Sequence, residues 1–140
     1  MILDGHKVFG GSTEGEALVI DEPFSFFGGI VPETGILTGG PCAGQNIQDK
    51  ILVFPRGKGS TLAPYVAYRG MRAGTGPKAI LCNEVDGVVA MVSIITRTPT
   101  VDRLSPDPIL TIRSGDQLRV DADAGRVEIT ARAREATRGG

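Results

Sequence analysis

The sequence predicts one α/β domain that is rich in β-structure, with about seven or eight strands and two helices in a mixed sheet or barrel. Two stretches carry this prediction. Over residues 51–83 an apolar strand, a glycine-rich loop, a helical segment and a second strand follow one another, which is a βαβ pattern. Residues 117–130 alternate polar and apolar side chains around a glycine-containing turn, as an antiparallel hairpin does. A chain of 140 residues fits a single domain, so we expect the domain over residues 1–130 and a frayed tail over 131–140.

The βαβ unit begins with the apolar strand Ile51–Phe54. Because Pro64 lacks a backbone N–H, it is tolerated only in the first turn of a helix, so the helix begins between Thr61 and Pro64. Glycines and Pro77 end that helix within residues 74–77, and the next strand follows over residues 78–83. The loop after the first strand therefore lies at the carboxyl end of two parallel strands, where α/β proteins bind ligands.

This loop is basic, rich in glycine and closed by two hydroxyl residues. Ser60 lies at the start of the helix, where unpaired N–H groups and the positive end of the helix dipole favour an anion. The same field stabilises the alkoxide of a serine, which suits Ser60 to proton transfer. The simpler alternative is that Ser60 only caps the helix. The spacing is not that of a P-loop, which argues against ATP or GTP binding. The candidate anion-binding residues are Arg56, Gly57, Lys58, Gly59 and Thr61.

The other segments are predicted from turn residues and apolar patterns. Two strands flank a glycine turn, over residues 7–11 and 14–21. The Phe26–Phe27 pair lies in a glycine-rich loop that cannot form a regular helix, and we expect both rings to be buried. Residues 87–96 fit either a buried helix or a strand, and their length, mixed spacing and the preceding Asp86-Gly87 favour a helix. The remaining predictions are a turn and short strand over 31–37, a loop over 38–45, a strand over 98–104 and a turn at Pro106 and Pro108.

Composition narrows the class of protein. Hydrophobic residues make up 41% and charged residues 22%, as in a soluble globular domain. A net charge of −1 and an aromatic content of 5% argue against a nucleic-acid surface. The absence of a long apolar run predicts no membrane span and no signal peptide, so we expect a cytoplasmic protein. Cys42, Cys82 and the single His6 do not form a zinc motif; we expect two buried free thiols and a histidine on the surface or in a strand.

Eight short motifs resemble, in the same order, the small subunit of the aconitase X group. They cover roughly residues 6–130 and lie at residues 14–19, 25–29, 32–35, 50–55, 57–61, 65–66, 77–80 and 101–104. The resemblance implies the swivelling β/β/α domain of the aconitase superfamily, and a separate large subunit that carries an iron or iron–sulfur centre. It also implies a dehydratase that eliminates water from a hydroxy acid, with Ser60 as the catalytic base. In that setting Arg56, Lys58 and the loop N–H groups would hold a carboxylate or phosphate of a small anionic substrate.

Members of the group suggest two substrates. Archaeal forms resemble a dehydratase of 5-phosphomevalonate, and bacterial forms resemble cis-3-hydroxyproline dehydratases. The Gly-Lys-Gly-Ser-Thr and Val-Asp-Arg-Leu motifs are closer to the archaeal forms, which favours the first substrate. The chain departs from the usual pattern at Ala63-Pro64 and at residues 39–42. A non-catalytic binding or scaffold domain with the same fold is the alternative from a different class.

Overall fold

The computed structural model describes residues 1–133, which form nine strands and four helices. Seven of the strands close into a barrel in the order β1-β7-β6-β5-β2-β8-β9, and β3 and β4 form a separate two-stranded sheet. The strands are β1 (Ile2–Phe9), β2 (Ser12–Val19), β3 (Ile30–Val31), β4 (Ile36–Leu37), β5 (Ile51–Phe54), β6 (Ala79–Cys82), β7 (Thr100–Ser105), β8 (Gln117–Asp121) and β9 (Arg126–Ala131). The helices are α1 (Phe26–Gly29), α2 (Ala63–Ala73), α3 (Gly87–Thr96) and α4 (Pro108–Thr111).

Four adjacent strands of the barrel, β2, β5, β6 and β7, run parallel to one another. The predicted βαβ unit is β5-α2-β6, with Ile51 opposite Ala79, and the predicted terminal hairpin is β8-β9. The sequence predicted only one parallel pair, and the barrel adds two. The N-terminal segments do form two strands about a glycine turn, but β1 pairs with β7 and β9 while β2 pairs with β5 and β8. Barrel closure therefore separates two strands that are neighbours in the sequence.

The central strands are buried on both faces, so the domain has two cores. Every residue of β5 and β6 is buried, which explains their uninterrupted apolar sequences. Alternate residues, such as Val53 and Leu81, point into the barrel, where they pack with Leu3, Val101 and Leu118. The other residues of these two strands, Leu52, Phe54 and Ile80 among them, point outward. They pack against the Phe24–Phe26 segment and against the long helices, which contribute Ala67, Val89 and Val92.

The two long helices match their predictions. Pro64 lies in the first turn of α2, and Gly74, with a φ of 80°, ends that helix. In α3 the Asp86 side chain accepts a hydrogen bond from the Val89 N–H at 2.9 Å, which is an N-cap. Both helices begin at the carboxyl end of a parallel strand and run toward the opposite end of the barrel.

The two short helices lie where a loop and a turn were predicted. α1 is a single irregular turn, because Phe27 has an extended ψ of 114° and Gly28 a φ of 81°. Phe26 is buried, as expected, but Phe27 is 48% exposed, so the prediction that both rings are buried is wrong for Phe27. Its ring lies outside the aromatic cluster that Phe24 forms with Phe26 and Phe54.

The two cysteines and the single histidine lie as predicted. Cys42 and Cys82 are buried free thiols, and His6 is an exposed residue of β1.

The described structure continues past residue 130, where the domain was predicted to end. β9 extends to Ala131, and Arg132 and Ala133 bond to the buried carboxylate of Asp116. The rest of the predicted tail, residues 134–140, lies outside the described residues. Across residues 1–133 no helix has the length and apolar character needed to cross a membrane.

Candidate active site

The predicted loop connects β5 to α2 at the carboxyl end of the parallel strands. β5 ends at Phe54, Pro55 and the segment Arg56–Ser60 follow it, and Ser60 lies two residues before Leu62, the N-cap of α2. The bridge between Phe24 and Gly57 extends the parallel pairing into the loop: the Phe24 N–H donates to the Arg56 carbonyl and the Lys58 N–H to the Phe24 carbonyl, both at 3.0 Å. The first half of the loop is thus fixed by backbone hydrogen bonds.

Ser60 is exposed and has a left-handed backbone conformation, with a φ of 82°. For a residue with a Cβ atom, this conformation costs about 1–2 kcal/mol. The Ser60 Oγ accepts a hydrogen bond from the Leu62 N–H at 3.2 Å, and the Ser60 carbonyl accepts one from the Ala63 N–H at 3.2 Å. Backbone strain of this kind is concentrated at functional sites, where the surrounding structure maintains it.

The start of α2 is electropositive and lacks a side-chain cap at Leu62 itself. Within residues 1–133 the N–H groups of Gly59, Ser60 and Thr61 have no hydrogen-bond partner. Unpaired N–H groups next to a helix N-terminus are donors for an anionic ligand. The N–H of Leu62 points at the Ser60 Oγ and would stabilise negative charge that develops on that oxygen.

Ser60 lines a cavity of about 400 Å³. One wall is the second half of the loop, Lys58–Ser60. The facing walls are the Ser25–Gly29 turn and residues 37–42, which comprise the end of β4 and the loop that follows it. Glu22 and Lys58 are the charged residues among those that line the cavity, and Ser25, Thr38 and Cys42 add polar atoms. A second cavity of about 260 Å³ lies near the ends of α2 and α3 and contains none of the predicted site residues.

The structure brings only some of the predicted residues to this cavity. Lys58, Gly59 and Ser60 line it. Arg56 faces a different depression, which it shares with the acidic residues Asp21, Glu84 and Asp107. At Gly57 a Cβ atom would lie 2.9 Å from the Asp86 Oδ2 and from the Val89 Cγ2, so this glycine permits close packing against α3. Thr61 is exposed and is not among the residues that line the cavity.

Four further residues line the cavity that the sequence did not identify as site residues: Glu22, Ser25, Thr38 and Cys42. Each comes from a segment that was predicted as a strand end or a loop, and only the tertiary fold brings these segments opposite Ser60. The one available signal was local: Ser25 stands between two phenylalanines and precedes two glycines, a sequence that marks a tightly packed turn. Thr38 closes that turn, since its hydroxyl donates to the Gly28 carbonyl at 2.8 Å.

Cys42 is a neutral wall residue of the cavity. Burial raises the pKa of its thiol, and the carboxylate of Glu22 raises it further. The Cys42 Sγ donates to the Val19 carbonyl at 3.2 Å, which ties the loop over residues 37–42 to the end of β2. A thiol with a raised pKa is a poor nucleophile at neutral pH. The raised pKa and the hydrogen bond to Val19 therefore favour a structural role for Cys42.

Residues 1–133 do not bring together the side chains of an iron site. Among residues 1–133 there is no group of three or more His, Cys, Asp or Glu side chains that could hold a metal ion. Cys42 lies in the segment after β4, whereas Cys82 is the last residue of β6 and is fully buried. Burial, with Asp102 and Asp86 nearby, raises the pKa of the Cys82 thiol well above its usual value. The donor set that iron or an iron–sulfur cluster requires is not present in the described part of the chain.

A barrel whose parallel strands are flanked by two helices, with a serine loop at their carboxyl end, defines a swivelling β/β/α domain. The family model for the aconitase X swivel domain matches residues 2–129. The chain belongs to this aconitase X swivel domain family.

Similar proteins cover nearly the whole chain. The phosphomevalonate dehydratase small subunits of Thermococcus kodakarensis and Thermococcus sibiricus are 47% and 45% identical over 131 residues. Both alignments include 92% of this chain, and 96% and 98% of the relatives. The small subunit from Methanocella arvoryzae is 41% identical over 93% of this chain and 100% of its own length. The matches therefore relate nearly the whole length of these small subunits to nearly all of this chain.

Two solved structures share the fold. A crystal structure of Thermococcus kodakaraensis aconitase X in its holo form has a TM-score of 0.88 and 46% identity. A solution NMR structure of a UPF0107 protein has a TM-score of 0.84 and 36% identity. In both, the alignment covers 92% of this chain and 98% of the other.

Proposed function

We propose that this chain is the small subunit of a hydro-lyase that eliminates water from (R)-5-phosphomevalonate, with Ser60 as the catalytic base. The observation that carries the proposal is the Ser60 hydroxyl, which lies exposed beside a cavity on a strained backbone and accepts a hydrogen bond from a helix N-terminal N–H. The names of the similar small subunits support the substrate. They do not favour cis-3-hydroxyproline or a non-catalytic scaffold.

The chemistry that Ser60 would perform is proton abstraction. In the elimination, the Ser60 alkoxide takes a proton from the carbon next to the substrate carboxylate and becomes a hydroxyl, a carbon–carbon double bond forms, and the hydroxyl group of the neighbouring carbon leaves as hydroxide. The hydroxide then takes the Ser60 proton, which releases water and restores the alkoxide. Negative charge passes through the Ser60 oxygen and the carboxylate during this step. The Leu62 N–H, at 3.2 Å from the oxygen, is a fixed donor for that charge.

Lys58 and the free N–H groups of the loop would bind the anionic groups of the substrate. A phosphorylated hydroxy acid carries a phosphate and a carboxylate, and the cavity offers one lysine together with the start of α2. The acidic surroundings of Arg56 reduce its attraction for an anion, so we expect Lys58 to contribute more than Arg56. Gly57 would contribute through packing against α3, and Thr61 through its unpaired N–H.

The partner would be a large aconitase X-like subunit that covers the cavity. Three large apolar side chains, Phe27, Leu62 and Tyr65, are exposed beside Ser60, with exposed fractions of 48%, 51% and 64%. Phe27 lines the cavity itself, and Leu62 and Tyr65 belong to the start of α2. Exposed apolar side chains grouped around a functional cavity are typical of a protein contact. The iron or iron–sulfur centre would belong to this partner. A cytoplasmic location stays a prediction, as does the absence of nucleic-acid and membrane partners.

The substrate assignment can be tested with the two subunits purified together. The pair is incubated with 5-phosphomevalonate or with cis-3-hydroxyproline, and the unsaturated product is identified by mass spectrometry. We expect 5-phosphomevalonate to lose water and cis-3-hydroxyproline to remain unchanged. If only cis-3-hydroxyproline is dehydrated, the proposed substrate is wrong but the proposed dehydratase activity stands. If a correctly assembled pair dehydrates neither compound, the scaffold alternative is favoured.

A further inference from the structure

Beyond the Lys58 N–H, which bonds to the Phe24 carbonyl, the Ser60 loop has few connections to the rest of the domain. Gly59 has a φ of 95°, Ser60 has a φ of 82°, and a Cβ atom built on Gly59 would contact nothing within 4 Å. The Ser60 bonds to Leu62 and Ala63 are local to the loop and the start of α2. Within the described residues, Ser25 is the side chain from outside the loop that hydrogen-bonds to this part of its backbone.

The Ser25 hydroxyl bridges two backbone groups. It donates its hydrogen to the Gly59 carbonyl at 3.1 Å and accepts a hydrogen bond from the Phe27 N–H at 3.1 Å. With the acceptor side engaged by Phe27, the hydroxyl hydrogen is directed to Gly59. Both bonds have ordinary hydrogen-bond lengths.

The position of Ser25 is itself rigid. The residues on either side, Phe24 and Phe26, are buried, and their rings make an edge-to-face contact with centroids 5.1 Å apart. The Phe24 ring also packs on Phe54, the last residue of β5, at 5.4 Å. Ser25 is therefore held by the hydrophobic core from which the loop begins, while the loop itself extends into solvent.

The bond from Ser25 controls the conformation of Ser60 because the peptide group is planar. The Gly59 carbonyl and the Ser60 N–H belong to one trans peptide group, so fixing the carbonyl also fixes the direction of the N–H. The peptide group that precedes the N–Cα bond of Ser60, about which φ is measured, is thereby held in place. The hydrogen bonds from the Leu62 and Ala63 N–H groups hold the atoms on the other side of that bond. A strained φ persists only when the surroundings determine it in this way.

We propose that Ser25 is a positioning residue, which holds Ser60 in its left-handed conformation by donating to the Gly59 carbonyl. The inference rests on the proposed function of Ser60 as the base. Ser25 does not exchange a proton with the substrate; it fixes the direction of the Ser60 N–H and the place of the Ser60 Oγ. Small displacements of a reacting group lower the rate of the chemical step more than they weaken substrate binding.

The experiment compares Ser25→Ala, Ser25→Thr and the matched control Thr130→Val in the assembled enzyme. Thr130 makes the same kind of bond, from its hydroxyl to the Gln117 carbonyl at 3.2 Å, in the hairpin away from the cavity. For Ser25→Ala we expect kcat to fall roughly ten- to a hundredfold while KM changes little. Ser25→Thr keeps the hydroxyl on an extended backbone that a β-branched residue accepts, so it should restore most of kcat. Thr130→Val should keep the parental kcat.

A second measurement does not depend on activity. Heteronuclear ¹⁵N NOE values of the Gly59 and Ser60 amides in the labelled chain report backbone mobility on the picosecond to nanosecond timescale. They should fall in Ser25→Ala, recover in Ser25→Thr and stay unchanged in Thr130→Val. Unchanged values in Ser25→Ala would overturn the positioning role. A parental kcat in Ser25→Ala would also overturn the positioning role. If Ser60→Ala is inactive in the same assay, the proposed function of Ser60 still stands. Parental turnover by Ser60→Ala would overturn the base assignment, and the catalytic meaning of Ser25 with it.

Discussion

The Oγ of Ser60 lies 3.2 Å from the backbone nitrogen of Leu62 and accepts its hydrogen bond. This one contact unites the two interpretations of the serine, as a helix cap and as a base. A cap satisfies an unpaired N–H at the start of a helix. The same N–H stabilises negative charge on the oxygen that it contacts. Capping and proton transfer are therefore compatible here, because the hydroxyl remains exposed beside the cavity.

Replacing Ser60 by glycine or by alanine separates backbone strain from chemistry. Both variants lack the hydroxyl, so both should be inactive. Alanine retains the cost of a left-handed φ, whereas glycine adopts this φ freely, so Ser60→Gly should be more stable than Ser60→Ala by about 1 kcal/mol. Urea unfolding of the isolated chain measures the difference. Equal stabilities would show that Ser60 is not held in the left-handed conformation.

Gly57 and Gly59 should respond to alanine for different reasons. At Gly57 the added methyl group would meet Asp86 and Val89 at 2.9 Å, so Gly57→Ala should disturb the N-cap of α3 and cost about 1–3 kcal/mol of stability. At Gly59 the methyl group has open space, and the cost is the strained φ alone, about 1–2 kcal/mol. We expect Gly59→Ala to lower kcat by more than its loss of stability explains. Gly57→Ala should lower activity only as far as it reduces the amount of folded protein. The two variants are compared by urea unfolding and by steady-state kinetics; the opposite kinetic order would place Gly57 in the substrate site.

The two buried thiols predict a loss of stability in alkali. Burial raises the folded-state pKa of both Cys42 and Cys82, whereas the unfolded thiols titrate near 8.5. The unfolded chain therefore releases protons first, and the stabilisation present below pH about 8.5 declines as the pH rises through the folded-state pKa. Urea unfolding between pH 7 and pH 10 measures this slope. Cys82→Ala should give a shallower slope than the parental chain, and an identical slope would show that Cys82 does not contribute.

The apolar residues beside Ser60 should contribute to binding of the large subunit. Tyr65→Ala, which removes an exposed ring in the first turn of α2, should weaken the complex about tenfold or more. The matched control is Ile94→Ala, which removes a side chain of similar exposure from the last turn of α3, at the other end of the barrel. Dissociation constants from calorimetry compare the two. Equal losses would indicate that the large subunit does not cover the Ser60 end.

The parts of the fold that the sequence predicted are those with a strong local signal. β5 and β6 are short, uninterrupted apolar runs, α2 has an apolar stripe between Pro64 and Gly74, and the β8-β9 hairpin alternates polar and apolar residues. The apolar residues of α3 have mixed spacing, and its length and the preceding Asp86 favoured a helix. The pairing of β1 and β2 could not be predicted, because closure of the barrel depends on contacts between residues distant in sequence. The exposure of Phe27 depends on the course of a single turn, which alternation and composition do not determine.

The geometry of the candidate site was predictable to the same extent. The sequence predicted the position of Ser60 just before α2, because a strand, a loop and a proline-initiated helix fix that position locally. It could not distinguish Lys58, which lines the cavity, from Arg56, which faces an acidic depression, because both precede a glycine in the same loop. Ser25 acts on Gly59 across 34 positions of sequence, so its contribution becomes visible only in three dimensions.

The central claim is that the Ser60 hydroxyl is the base, and one comparison tests it directly. The assembled enzyme is assayed for dehydration of 5-phosphomevalonate with Ser60→Ala and with Ser114→Ala. Ser114 is another exposed serine, whose Oγ accepts a hydrogen bond from the Val19 N–H at 2.8 Å, so it controls for the loss of such a bond. We expect Ser60→Ala to lower kcat by at least about a thousandfold with the complex intact, and Ser114→Ala to keep the parental rate. Parental turnover by Ser60→Ala would contradict the account.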